Sequence, residues 1–110
     1  QSQVVEAEAL SPLAAGPHAG EYETSLVAHL RPGSIREEHL VPGRMVEPGE
    51  AQGLFYPSLR PNAESGVLGD PSAAIGERGQ RYLSAWVDLL ISGYRAAFPE
   101  TPASTEKNPR

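Results

Sequence analysis

The apolar positions of this chain fall into two helical stretches separated by a long span with no period. In the first, Tyr22, Leu26, Val27 and Leu30 return to one side at helical spacing, which predicts a helix over residues 20–31. Glu21 and Glu23 fall in its first turn, where carboxylates favour the positive end of the helix dipole. Pro32-Gly33 stops it. In the second, Tyr82, Trp86, Leu89, Leu90, Gly93 and Tyr94 form a stripe, widened by Leu83, Val87 and Ile91. This predicts a long helix over residues 71–97, with Asp70 as N-cap and Pro71 at the first helical position. Gly76 and Gly79 weaken its first turns by about 1 kcal/mol each relative to alanine.

The rest reads as short pieces. Residues 3–10 predict a short strand. Ser11-Pro12 and Gly16-Pro17 then punctuate a loop. Residues 34–62 read as loops with short strands, turning at Pro42-Gly43 and Pro48-Gly49, with one brief apolar run at Leu54-Phe55-Tyr56. The polar, proline-rich residues 99–110 read as a disordered tail, which leaves residues 1–98 as the folded unit. The 11 glycines and 11 prolines agree with a loop-rich chain of few long elements.

Composition narrows the function classes. The 110 residues suffice for one small domain. Net charge is −5 and the nine basic residues form no run, so the counterion-releasing surface that nucleic acid requires is not expected. The absence of cysteine excludes disulfides, a thiolate nucleophile and cysteine-ligated zinc, and it fits the reducing cytoplasm as the expected compartment. No window reaches the roughly 18–20 apolar residues of a membrane span. The first residues have neither the basic region nor the apolar core of a signal peptide, and the first residue is Gln1, not Met.

The chemistry concentrates in Gly16-Pro17-His18-Ala19-Gly20-Glu21-Tyr22-Glu23-Thr24-Ser25. His18 stands in a Gly/Pro loop directly before a helix that opens with two carboxylates. Small Ala19 and Gly20 would let a ligand or metal come close to the backbone. An imidazole near carboxylates suits proton transfer or a divalent metal. The residues alone equally allow an exposed loop histidine followed by dipole-favouring acids. No His-x-x-x-His or Cys-x-x-Cys spacing marks a self-contained zinc site. His29 and His39 read as surface or partly buried side chains, and Asp70 as a cap. Ser25 has no Gly-x-Ser-x-Gly context and is not read as a nucleophile. Trp86 and the tyrosines read as core or subunit contacts.

His18 through Leu26 closely resembles the His-Ala/Gly-Gly-x-x-Glu-Thr-Ser motif of the creatininase family of amidohydrolases. Some 40 residues on, Glu64-Ser65-Gly66-Val67-Leu68-Gly69-Asp70-Pro71 resembles that family's Ser/Thr-Gly-Val-x-Gly-Asp-Pro segment, and a helix with Gly76, Glu77 and Gly79 follows. The resemblance covers residues 14–97 and leans toward the branch that holds the peptidase of mycofactocin maturation. It implies an α/β fold, with this chain as the C-terminal half of a three-layer domain. It also implies an activity: two divalent metals, commonly Zn, Mn or Fe, that activate water against an amide carbonyl. In that frame His18 contacts substrate or gives a proton to the leaving nitrogen. Glu23 is a ligand of the metal centre or sits beside one, and Gly20 allows the close approach.

Two departures qualify the resemblance. Creatininase has a Trp, an Asp and a Glu around creatinine just before the motif histidine. Ala14-Ala15-Gly16-Pro17 stands there in this chain, so creatinine is not the expected substrate. The family's main ligands lie in a Glu-x-His segment, an Asp soon after it and an Asn-Gly-His-Gly-Gly-Asn segment, none of which occurs here. The chain alone is therefore not expected to hold two metals. The expected protein is part of a non-creatinine amide hydrolase, working with the missing N-terminal half or other subunits on a small amide or peptide, and oligomeric as family members are. A non-catalytic interaction or assembly module derived from that family is the alternative.

Overall fold

The computed structural model describes residues 2–9 and 11–100. Four α-helices carry the architecture: α1 (Ser2–Glu8), α2 (Pro12–Ala15), α3 (Glu21–Leu30) and α4 (Gly76–Ala97). Five single 3₁₀ turns lie at Pro32–Ser34, Glu37–His39, Pro48–Glu50, Arg60–Asn62 and Pro71–Ala73. Four of the five have proline in their first turn, where its missing N–H costs no hydrogen bond.

The predicted strand over residues 3–10 is replaced by a helix where the chain is described, at Ser2–Glu8. Adjacent Val4 and Val5 are both buried and share a cluster with Tyr22 and Tyr82, with Ala9 packed against it. Neighbouring residues and a residue one turn later lie on one side of a helix, whereas a strand would send Val4 and Val5 to opposite faces. The other short strands are also not seen. Among the described residues the only ladder pairings are two isolated bridges, His18 with Leu68 (antiparallel) and Arg44 with Leu68 (parallel). Gly-Pro punctuation across residues 32–62 leaves no uninterrupted extended run, and the chain turns in 3₁₀ steps instead. The α/β layering that the sequence suggested is thus not present in what is described. Residues 101–110 of the predicted tail lie outside the described residues. No helix among those described is long and apolar enough to cross a membrane.

Both long helices appear, trimmed at their starts. The predicted helix 20–31 is Glu21–Leu30, with Gly20 as N-cap. The predicted helix 71–97 divides. Asp70 does cap, accepting from Ser72 N at 3.0 Å with Pro71 at the first position, but the capped element is only the 3₁₀ turn Pro71–Ala73. Ile75 is then extended (φ −140°, ψ 142°) and α4 starts at Gly76. The break is stabilised from outside: Ile75 N donates to Ser25 Oγ of α3 at 3.1 Å.

The α3–α4 pair is the main contact of the fold, with α1 laid against α4. A second small cluster, Val46, Ala63 and Leu68, closes the loop region, with Ala51, Leu54 and Leu59 against it. The helices meet where α4 has no side chain. A Cβ built on Gly79 would lie 1.9 Å from the Ser25 carbonyl oxygen, inside its van der Waals radius. Backbone cannot swing aside as a side chain can. Gly79→Ala is therefore expected to destabilise the chain by about 1–3 kcal/mol or more through overpacking. Gly93→Ala, with no atom within 4 Å of its built Cβ, should instead stabilise by up to about 1 kcal/mol through helix propensity. Opposite shifts in the denaturant midpoint, followed by circular dichroism, would bear this out. Equal shifts would contradict it.

Candidate functional site

Sequence chemistry places the candidate loop between two crossing backbones. Ser11 opens α2 by accepting from Ala14 N at 3.2 Å, and the chain leaves α2 through Gly16 at φ 66°. It then runs directly against residues 68–70. Leu68 N donates to His18 O at 2.8 Å, His18 N donates to Leu68 O at 3.5 Å, and Asp70 N donates to Ala14 O at 2.8 Å. Residues 43–44 join from the other side, with Gly43 N to Gly69 O at 2.8 Å and Gly69 N to Arg44 O at 2.9 Å. A Cβ at Gly16 would sit 1.8 Å from Leu68 O, and one at Gly69 would sit 2.7 Å from Ala14 O. These glycines admit backbone where any side chain would collide. The two segments far apart in sequence, 16–25 and 64–71, are thus one structural unit.

Beyond this crossing the chain turns sharply into α3. Ala19 takes a left-handed conformation (φ 54°), and its N–H donates to Glu23 Oε2 at 2.5 Å. Glu23 is the third residue of α3, and its carboxylate reaches back past the N-cap Gly20 to the residue before it. The hydrogen bond offsets strain at Ala19 and closes the turn that carries His18. The His18 ring is half-buried and meets Phe55 edge-on, with centroids 5.9 Å apart. Gly20 is buried, and the space beside it is taken by carbonyl oxygens of Ala14 and Ala15. The close approach it permits is between two parts of the chain.

Glu23 also borders an open groove of about 400 Å³, whose walls include Ala19, Thr24, Val27, Ile35, Arg36 and His39. Glu23 is exposed there. Of the other histidines, His29 is partly buried in the last turn of α3, and His39 is exposed with its Nε2 3.8 Å from Glu38. Neither is joined to His18 by any hydrogen bond. Ser25 is fully buried and works structurally, as acceptor for Ile75 N and donor to Glu21.

Glu21 was not singled out by the sequence beyond its place in a first turn, yet it is the most constrained carboxylate described. Only 2% of its surface is exposed. Oε2 accepts from Ser25 Oγ at 2.5 Å and from Arg78 Nη1 at 3.0 Å, and Oε1 accepts from Tyr82 OH at 2.6 Å. Arg78 Nη1 further donates to Ala73 O at 3.1 Å, while its buried Nε has no partner among the described residues. Tyr82 stacks edge-on with Tyr22 at 4.7 Å, and Trp86 Nε1 donates to the Tyr22 hydroxyl. Burial pushes the Tyr82 phenol far above the ordinary tyrosine value, and its hydrogen bond to anionic Glu21 adds to the shift. Burial also raises Tyr22, against a smaller lowering by the Trp86 hydrogen bond. The signal was in the spacing: Glu21 and Ser25 stand four apart on α3, Arg78 and Tyr82 four apart on α4, two polar pairs able to face each other.

Metal binding needs several such groups held together. Among the described residues, no three His, Asp or Glu side chains converge in that way. Glu21 is consumed by its own network, and the donors near the loop reduce to His18 and Glu23.

The family of this loop-and-helix arrangement is decided by comparison. The family described as creatininase, creatinine amidohydrolase, matches over residues 1–93. The chain belongs to the creatininase family. Its members are metal-dependent amidohydrolases. The chain is also similar to proteins named mycofactocin precursor peptide peptidase. It is 38% identical over 80 residues to those of two Mycobacterium tuberculosis strains, CDC 1551 and H37Rv. It is 34% identical over 80 residues to that of Mycobacterium ulcerans. Each alignment takes in 68% of this chain and 30% of the relative. No solved structure matches.

The buried network yields two expectations. Arg78→Ala would take the buried Glu21 carboxyl's only ion-pair partner among the described residues, with a cost of about 3–5 kcal/mol in chemical denaturation. Tyr82→Phe, which removes one hydrogen bond to a charged group, should cost about 1.5–3 kcal/mol. Wild-type-like midpoints for both would show the network to be absent in solution. The pH dependence follows from the raised Tyr82. Its folded value exceeds the unfolded value of about 10, so its contribution is intact below that pH and is lost as pH rises through the folded value. Alkaline loss of stability should be smaller in Tyr82→Phe than in the wild type, as read from melts at successive pH values.

Proposed function

We propose that this chain supplies the C-terminal portion of a metal-dependent hydrolase that cleaves amide bonds other than that of creatinine. The observation that carries this reading is the closed turn at His18. Two backbone bonds to Leu68 and the Glu23–Ala19 hydrogen bond hold an imidazole at the mouth of the helix. Such anchoring suits a group that must meet a substrate in one orientation. In this reading His18 contacts the substrate or passes a proton to the leaving nitrogen. Glu23 faces the metal side, and Gly20 lets the loop pack tightly enough to present both. The residues described do not make up a metal centre by themselves, so its remaining ligands come from elsewhere in the complete protein. That protein would have the three-layer α/β architecture, in which residues 1–98 form the C-terminal part.

The substrate class follows from what precedes His18. Ala14, Ala15 and Gly16 are occupied in the backbone crossing and offer no polar side chain for a small polar ring. The similar proteins bear the name of a peptide peptidase, and a peptide or small amide is the class we assign. We also propose a cytoplasmic, homo-oligomeric protein with one two-metal centre (Zn, Mn or Fe) per completed site.

The test joins this chain to the portion of the Mycobacterium tuberculosis peptidase that it does not align with. Amide hydrolysis and metal content are then measured on the assembly. About two metals per site and a measurable rate are expected. His18→Ala should lower the rate about 10²–10⁴-fold at unchanged thermal stability. Glu23→Gln, which keeps an oxygen for Ala19 N but loses the charge, should lower it while Glu23→Ala also destabilises the loop. A folded assembly that binds no metal and cleaves nothing would favour the interaction module instead. An unchanged rate in His18→Ala would remove His18 from the chemistry.

A further inference from the structure

The turn at His18 fixes a backbone, and a fixed backbone does not aim a ring. Two hydrogen bonds to Leu68 and the closed turn at Ala19 hold the main chain of His18 in place. The torsion between Cβ and the imidazole is broad and has no narrow staggered wells. A proton-transfer histidine must nevertheless bring one ring nitrogen to one atom of its substrate. A hydrogen bond at the second nitrogen commonly sets that aim. Among the described residues the His18 imidazole makes no hydrogen bond or ion pair, and its one ring contact is Phe55.

The chain puts Phe55 there by way of Leu54. Leu54 packs on the Val46, Ala63 and Leu68 cluster, donates its N–H to Ala51 O at 3.2 Å and accepts from Asn62 Nδ2 at 2.9 Å. Gly53, at φ 90°, turns the chain just before it, and Tyr56 N closes the turn on Gly53 O at 3.4 Å. Leu68 is fully buried in the same cluster, and both backbone groups of His18 bond to it. One residue thus anchors the main chain of His18 and the neighbour of Phe55, so the scaffold sets the separation of the two rings. Their centroids lie 5.9 Å apart at an interplanar angle of 78°, the geometry of an edge-on aromatic pair. Phe55 is 44% exposed and belongs to neither core cluster. What its ring covers is the imidazole.

We propose that Phe55 is the positioning residue of His18. Its ring narrows the swing of the imidazole and aims it at the scissile amide, and it leaves both ring nitrogens open to exchange protons. The proposal rests on the reading of His18 as the substrate-side histidine of an amide hydrolase, and it adds the group that orients that histidine. It also gives the apolar run Leu54-Phe55-Tyr56 a task, with Leu54 as the anchor and Phe55 as the ring it presents.

The ring contact is read on the full chain by NMR. Nuclear Overhauser effects between the Phe55 and His18 ring protons are expected. Phe55→Leu, which keeps apolar bulk without a ring, should shift the His18 imidazole resonances and leave those of His29 and His39 in place. The rate is read on the assembly with the unaligned portion of the Mycobacterium tuberculosis peptidase. Phe55→Leu should lower kcat about 10–100-fold, as misaimed reacting groups do, with KM changed less than about threefold. Phe55→Tyr, which restores the ring, should return kcat close to the wild-type value. In a His18→Ala background Phe55→Leu should cost nothing further, because the group it aims is gone. Four results overturn the proposal: His18 resonances that ignore Phe55→Leu, an unchanged kcat, a rise in KM alone, or the full loss repeated in the His18→Ala background. An assembly that cleaves no amide even as wild type would instead sink the proposed reaction, and the NMR contact would then decide by itself whether Phe55 holds the ring.

Discussion

The fold depends on one buried carboxylate. Glu21 accepts hydrogen bonds from Ser25, Arg78 and Tyr82, and so ties the start of α3 to the first turns of α4. Taking a carboxylate and a guanidinium out of water is costly, and removing either partner leaves the other stranded. The network is therefore a constraint as much as a source of stability: it permits only one register between the helices. Gly79 on Ser25 enforces the same register sterically, because only there can the two backbones come so close. Everything that reaches the candidate site passes through this joint. The His18 turn is the N-terminal lead of α3, and Ser25, one turn farther along, holds the break before α4 by accepting from Ile75 N.

A second joint, made of backbone alone, fixes the loop side. Gly16, Gly43 and Gly69 let three segments cross at Leu68 at distances no side chain would allow. The two family-like motifs, 16–25 and 64–71, are separated by some forty residues of turns, yet each forms half of this crossing. Their glycines serve first to build the scaffold. His18 and Glu23 are what the scaffold presents, and Glu23 has two tasks: one oxygen secures Ala19, while the side chain borders an open groove.

How much of this was legible varied with the range of the interaction. Helical periodicity located α3 and α4, because it reflects burial of one side along a single element. It could not locate the break at Ile75, which depends on a serine hydroxyl fifty residues away. The strand expected over residues 3–10 failed in the opposite sense: Val4 and Val5 are buried together against Tyr22 and Tyr82, as neighbours on one side of a helix are. The short strands expected across residues 34–62 gave way to 3₁₀ turns because each proline that ends an extended run is also well suited to begin a turn. Glu21 was visible as a residue and invisible as a partner. Its spacing to Ser25 matched that of Arg78 to Tyr82, but each residue already had a simpler role, in a helix dipole or a core stripe. His18 and Glu23 were found through motif resemblance, and the structure gives the turn that joins them.

The central claim is that His18 and Glu23 stand at a metal centre whose other ligands lie outside this chain. It is tested most directly by paramagnetic relaxation. Manganese(II) is titrated into the assembly of this chain with the rest of the domain, and the side-chain resonances of the three histidines are followed. Broadening of His18 is expected at lower metal occupancy and to a clearly greater extent than that of His29, on the last turn of α3. A His18 signal that stays as sharp as that of His29 at full metal occupancy would contradict it.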